Sequence, residues 1–380
     1  MKRFSPLLLI LLAALLTACA AATPTSIPEA TATLPPPTAT AQASPTPTAV
    51  TVNDALGRQV TLPALRQRIA IVGRAVSLLN DAAYLFPEAI ERVVSAAATP
   101  QGGSGDFIAL IDPNLPQKTA FQTQVGPEQV ITAQPDLALM KPYMAETLGK
   151  PLEALGVPVV YLSMETPEEF QRDVRTLGQI FGNPERAEDI NRYYQQQVDA
   201  VTGALASLDE AQKPRTLLLY YSDRDGQVAF NVAPNSWIQT WMAQTAGGRP
   251  VWTEIELGSG WTKVNLEQIA AWDADAIFII NYTGDPEETV ARLRQDPQWQ
   301  AMRAVREGRL YAFPRDYYSW DQADPRWILG LRWLAFRLHP EAFPALDMIN
   351  EAKAFFAFGY GIDETTFNAS ILPLLKGDLR

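Results

Sequence analysis

Two of the most versatile side chains are nearly absent from this chain. Among 380 residues there is one cysteine, Cys19, and one histidine, His339. A lone cysteine excludes an internal disulfide and a cysteine-built metal site. A lone histidine, in "RLHPEAF" at a helix end, reads as a surface cap, and it leaves no set of converging ligands for a bare zinc or manganese ion. Nucleophile motifs are missing too: there is no Gly-x-Ser-x-Gly elbow and no Gly-Lys-Thr phosphate loop, and Gly102–Gly105 is followed by no helix signal. With no activated nucleophile or base, no enzyme is expected. Positive charge is short as well, 31 Lys and Arg against 42 Asp and Glu for a formal net charge of −11, so nucleic acid is excluded as a partner. Beyond the first twenty residues no apolar run is long enough to span a bilayer. What remains is a body of roughly two domains' length, rich enough in apolar residues, at 47%, to bury a sizeable core.

The amino terminus is built of different material. Lys2 and Arg3 precede the apolar run Leu7–Leu16, the layout of an export signal over residues 1–18. Its end, Leu16-Thr17-Ala18-Cys19, resembles the lipobox of bacterial lipoproteins, which would put lipid on Cys19; the alternative is a plain cleaved signal with an incidental cysteine. Residues 19–50 are almost wholly Ala, Thr, Pro and Ser, a composition that cannot offset its ordering entropy and reads as a disordered, membrane-anchored tether.

From Thr51 onward short apolar runs alternate with helical stretches. Arg68–Gly73, Arg92–Ala97, Asp136–Met140 and Val157–Leu162 read as buried strands, and Thr216–Tyr221, Ala276–Ile280 and Arg309–Phe313 repeat the pattern. Between the two groups, Pro167–Leu208 holds no strand-like run. It reads as amphipathic helix, with Asn183 as N-cap, Pro184 at the first helical position, and Ile190, Tyr194, Val198 and Val201 on one face. The expected fold is α/β: two three-layer lobes with mostly parallel sheets, residues 51–165 and 209–380, joined by a long connecting helix within 166–208, with a ligand cleft between the lobes and a helical tail at the carboxyl end.

One phrase is written twice. "EQVITAQPDLALM" begins at Glu128 and "EQIAAWDADAIFI" at Glu267, with Asp136 matched by Asp275. Together with "TVNDALGRQVTLP" (Thr51–Pro63), "RIAIVG" and "NPERAEDI", these segments resemble the iron-siderophore and vitamin B12 binding family, solute-binding lipoproteins of bacterial ABC importers, over about residues 51–339. The resemblance implies two lobes on one rigid helix, a membrane permease as partner, and docking of one surface glutamate per lobe, here Glu128 and Glu267, against permease arginines. Both glutamates equally suit the first turn of a helix, whose dipole favours negative charge. The later segments "FPRDYYSWDQADPRWILGLRWLAFRLHPEAF" and "AKAFFAFGYGIDETTFNASIL" are more similar to a branch of the same fold that binds molybdate and tungstate. The expected ligand is an iron-type chelate of the siderophore, haem or corrinoid class, with an oxyanion as the alternative. A monomer without cofactor is expected.

Ligands of open α/β sheets sit beyond the carboxyl ends of the strands. That rule selects Arg74, Lys141 and Tyr143 in the first lobe, and Asn231, Asn235, Trp237, Arg315, Tyr317, Tyr318 and Trp320 in the second, as loop residues. Forked Arg donors suit a carboxylate or oxometallate, and the rings would enclose a bulky chelate; the bland reading is half-buried aromatics beside solvated cations. Direct ferric coordination by Tyr143, Tyr317 and Tyr318 is a further, weaker option.

Overall fold

A computed structural model describes residues 49–62, 65–96, 106–122, 124–224 and 226–379, all within a single unit, Pro47–Arg380. Cys19, the expected export signal, nearly all of the tether and Gly102–Gly105 lie outside the described residues. Val50, the last residue of the expected tether, is already paired with Leu62.

The body begins with an antiparallel hairpin of β1 (Val50–Asn53) and β2 (Gln59–Leu62). Its turn is held by Asp54, whose Oδ1 accepts from the amides of Leu56 and Arg58, both at 3.0 Å. The first lobe's sheet comprises β3 (Ile69–Ile71), β4 (Ser95–Ala96), β5 (Thr119–Ala120), β6 (Leu137–Met140) and β7 (Val159–Tyr161). β3, β6 and β7 run parallel in that order, and β4 pairs with β5. The two groups are stitched together where the Val94 amide donates to Ile69 O at 2.9 Å and the Ser95 hydroxyl bonds both the amide and the carbonyl of Ile71. Every residue of β3, β6 and β7 is buried, which is why these strands read as unbroken apolar runs: a parallel sheet is covered on both faces.

The second sheet comprises β8 (Arg215–Arg224), β9 (Gln227–Val232), β10 (Arg249–Pro250), β11 (Thr262–Val264), β12 (Ala276–Ile280) and β13 (Leu310–Ala312). The order is β11-β9-β8-β12-β13, with β10 beside the start of β8. β10, β8, β12 and β13 run parallel to one another. β9 and β11 form an antiparallel edge that the apolar-run reading does not predict, because its residues are half-exposed and lack a continuous apolar stretch.

Two helices follow the first lobe, and the second and longer of them is the connecting helix. Pro167–Phe181 is capped by the Thr166 side chain and ends at Gly182, whose φ of 68° is left-handed. Pro184–Ala204, about 31 Å long, is capped by Asn183, whose side chain accepts from the Arg186 amide. Ile190, Tyr194 and Val201 of the second helix are buried. Its Arg186 donates to Leu85 O on the first lobe and to Phe358 O and Gly359 O on the carboxy-terminal helix Met348–Tyr360. Tyr194 donates to Pro325 O at 2.5 Å and packs on Phe170 and Trp327.

His339 does close the helix Trp327–Leu338, but it is buried rather than on the surface. Its Nε2 bonds Gly247 O at 3.0 Å, because the left-handed turn at Gly247 brings a carbonyl over the helix end.

Candidate functional site

At the carboxyl ends of β3 and β6 the first lobe presents a pocket of about 410 Å³ lined by Arg74, Gln124, Tyr143 and Met144, among others. The chain leaves β3 through Gly73 (φ 103°) and the left-handed Ala75 (φ 52°), a bend that turns Arg74 outward. Tyr143 is 58% exposed and its hydroxyl donates to Arg74 O at 3.2 Å. Burial of its hydroxyl and the nearby Glu165 carboxylate push this phenol up to about 12.

The carboxyl end of the second sheet carries an aromatic wall. Tyr220 of β8 packs on Trp261 (5.0 Å) and Tyr282 (4.6 Å), and Trp261 in turn meets Trp237 edge to face at 5.5 Å. Asn231 lies opposite Tyr220 and Lys263 lies opposite Asn231. Directly paired residues share a face of the sheet, so an exposed lysine borders the wall. Behind it, the fully buried Asp321 accepts from Tyr282 Oη at 2.6 Å, Ser319 Oγ at 2.6 Å and Gln239 Nε2 at 3.2 Å. This carboxylate fixes the ring of Tyr282 in place, and burial beside it raises the Tyr282 phenol well above its ordinary value.

Of the residues selected from sequence, Arg74 and Tyr143 come together in the first lobe, and Asn231 and Trp237 come together in the second. Asn231 lies within β9 rather than in a loop, and Asn235 is exposed beside Trp237. The others stand elsewhere. Lys141 is 1% exposed and spends its ammonium on Ser163 O and Glu165. Arg315, 3% exposed, directs Nη1 at the carbonyls of Asn281, Tyr282 and Gly284, and Nη2 at Tyr317 O. It braces the loop after β12 rather than facing solvent. Tyr317 packs on Phe107 of the first lobe, Tyr318 lies under the Arg326 guanidinium, and Trp320 donates to Asp316 at 2.7 Å. These three rings and Arg326 form the floor where the lobes meet. Tyr143 lines the first-lobe pocket, whereas Tyr317 packs on Phe107 and Tyr318 on Arg326, and burial raises all three phenols. No group of three or more His, Cys, Asp or Glu suited to a metal occurs among the described residues.

Sequence reasoning missed Tyr220, Trp261, Lys263 and Tyr282. Tyr282 stands two positions past β12, so the strand-end rule points to it. Trp261 and Lys263 had no such signal, since β11 carries no apolar run.

The two copies of the repeated phrase are alike position by position. Glu128 and Glu267 are both exposed in the first turn of a short helix, Pro127–Val130 and Leu266–Ala271. Gly126 and Asn265 are the N-caps, and each helix exits through a left-handed residue, Gln134 (φ 49°) and Asp273 (φ 39°). No helix among the described residues is long and apolar enough to cross a membrane.

Comparison with known proteins returns the same architecture. The family model for periplasmic binding protein matches residues 66–317. The molybdate-binding protein MolA of Haemophilus influenzae is 22% identical over 325 residues, 78% of this chain and 87% of that protein. The vitamin B12-binding protein of Pectobacterium carotovorum is 24% identical over 278 residues, 69% of this chain and 92% of that protein. A periplasmic solute binding protein from Veillonella parvula superposes with a TM-score of 0.66 at 24% identity, covering 85% of this chain and 97% of that one.

Proposed function

Because the chain belongs to the periplasmic binding protein family, we propose that it is the extracytoplasmic solute-binding component of an ABC importer, and that its solute is an iron-type chelate of the siderophore, haem or corrinoid class. The observation that carries this reading is the half-buried wall of Tyr220, Trp237, Trp261 and Tyr282. Such a surface offers large, rigid contact area at low entropic cost to a bulky organic complex, with Lys263 at its rim as a cation for acidic groups and Arg74 as a further cation on the first lobe. In this reading Cys19 carries the lipid anchor, Glu128 and Glu267 dock on the permease, and the protein acts as a monomer without catalysis.

One feature favours a small oxyanion instead. The helix Val76–Ala83 opens directly after Arg74 with no side-chain cap, leaving amide donors of the kind that hold oxyanions, and the molybdate-binding relative aligns over most of the chain. A thermal-shift and tryptophan-fluorescence titration with ferric hydroxamate and catecholate siderophores, haem, cyanocobalamin, molybdate and tungstate separates the two. A bound ligand at a hundred times its dissociation constant adds about 2.7 kcal/mol, and a chelate on the wall quenches Trp237 and Trp261. Micromolar or tighter binding of molybdate, with no shift from any chelate, overturns the chelate and leaves the transport role standing.

A further inference from the structure

Each copy of the repeated phrase is tied to the first strand of its own sheet by the same clamp. In the first lobe Asp136 accepts from the amides of Gln67 (2.9 Å) and Arg68 (3.1 Å), and its own amide donates to Arg68 O at 2.9 Å. The Arg68 guanidinium then reaches the carbonyls that end the Glu128 segment, Nε to Gln134 O at 2.8 Å and Nη2 to Ala133 O at 2.5 Å. In the second lobe Asp275 accepts from the Arg215 amide at 2.6 Å and donates to Arg215 O at 2.7 Å, and Arg303 adds a second guanidinium on Asp275 and on the Asp273 carbonyl. Arg215 Nε and Nη2 both reach Trp272 O, at 3.3 and 2.9 Å, and Trp272 is the counterpart of Ala133 in the repeat. The arginines lie outside the repeated phrase, 68 residues before Asp136 in one lobe and 60 before Asp275 in the other, so only the folded sheets pair them with it.

The clamp answers a physical need. Helices of four and six residues cannot sustain themselves, since nucleation outweighs so few internal bonds. A guanidinium on their last carbonyls satisfies orphan acceptors and complements the dipole. Neither arginine belongs to the ligand pocket or the aromatic wall, so ligand binding does not explain why both lobes keep the arrangement.

We infer that Arg68 with Asp136, and Arg215 with Asp275, are positioning residues that hold Glu128 and Glu267 at fixed places on their sheets, ready for a partner presenting two cationic sockets. This rests on the docking reading above. A glutamate on a frayed turn must be ordered when it docks, whereas a clamped one is ordered beforehand, and that difference lowers the concentration needed for engagement.

The test uses the full lipidated chain with the permease it serves in proteoliposomes, reading ATP hydrolysis against concentration of the binding protein. Two variants remove the clamps, Asp136→Asn with Asp275→Asn and, separately, Arg68→Gln with Arg215→Gln; a third is Glu128→Ala with Glu267→Ala. Both clamp variants are expected to keep the thermal shift given by the chelates that stabilise the wild type, to exchange amide hydrogens faster over residues 129–134 and 268–273, and to raise the half-maximal concentration roughly tenfold, the equivalent of about 1.4 kcal/mol. Placed on the Glu128→Ala, Glu267→Ala background they should cost nothing further. The inference fails if the glutamate variant abolishes stimulation while both clamp variants keep the wild-type half-maximal concentration, or if clamp and glutamate losses simply add. No effect from the glutamate variant defeats the docking reading itself, and the positioning role falls with it.

Discussion

Replacing Asp81 by asparagine alters a buried cluster of three carboxyls around one guanidinium. Asp81 lies on the first-lobe helix Val76–Ala83, and its Oδ2 pairs with Arg326 Nη1 of the second lobe. Asp316 (2.7 Å) and Asp324 (3.5 Å) share the same guanidinium, and all four side chains are at most 1% exposed. Three carboxylates around one cation would leave two uncompensated buried charges, so the cluster holds protons. Burial pushes the Asp81 carboxyl up to about 7 against the pull of Arg326, with Asp316 and Asp106 adding to the rise. A carboxyl raised on folding binds its proton more tightly folded than unfolded. Its stabilisation is therefore complete below the unfolded value near 4 and is lost as pH climbs through 7. Between pH 5 and pH 8 that loss amounts to roughly 2–3 kcal/mol, at 1.36 kcal/mol per pH unit up to 7. Asparagine mimics the protonated acid and cannot ionise. Guanidinium unfolding followed by tryptophan fluorescence at pH 5, 6, 7 and 8 should show the variant gaining on the wild type by about that amount across the series. Asp324, also raised by burial, faces the Asp81 charge, so the wild-type slope belongs to the pair and the slope of the variant to Asp324 alone. Equal pH slopes in the two proteins, or a variant several kcal/mol weaker at pH 8 than at pH 5 relative to wild type, would refute the reasoning. As a contrast, Arg326→Met strips the only cation from the cluster and should cost about 3–5 kcal/mol at pH 8, and less at pH 5.

Asn183→Ala removes the cap of the connecting helix and its 2.8 Å bond to Glu88, so chemical denaturation should register a loss of about 1–2 kcal/mol. Gly330→Ala would drive a methyl to 2.2 Å from Trp320 O; overpacking of roughly 1–3 kcal/mol or more is expected as a drop in melting temperature. Arg74→Ala should weaken chelate binding in a fluorescence titration with stability changed by less than about 0.5 kcal/mol, whereas Arg315→Gln should unfold at lower temperature because it strips the carbonyls of residues 281–284 of their donor.

The sequence alone determined the two-lobed α/β framework, though not the antiparallel edge of β9 and β11. Apolar runs such as Leu137–Met140 and Ala276–Ile280 become buried strands because burial on both faces demands local composition. The Asn183-Pro184 start of the connecting helix could be read for the same reason, since a cap lies within three residues of what it satisfies. The repeated phrase foretold two matching turns. What the sequence could not show is where each charged or aromatic side chain spends its interactions, because that depends on segments far apart in the chain. Arg315 and Lys141 stood at strand ends like Arg74, yet the loops Asn281–Gly284 and Ser163–Glu165 fold over them and consume their donors. The aromatic wall draws one ring each from positions 220, 237, 261 and 282, and the lobe junction joins Asp81 to Arg326 across 245 residues. A buried polar group must find its partner wherever the packed chain supplies one, so tertiary structure decides which cations remain for a ligand.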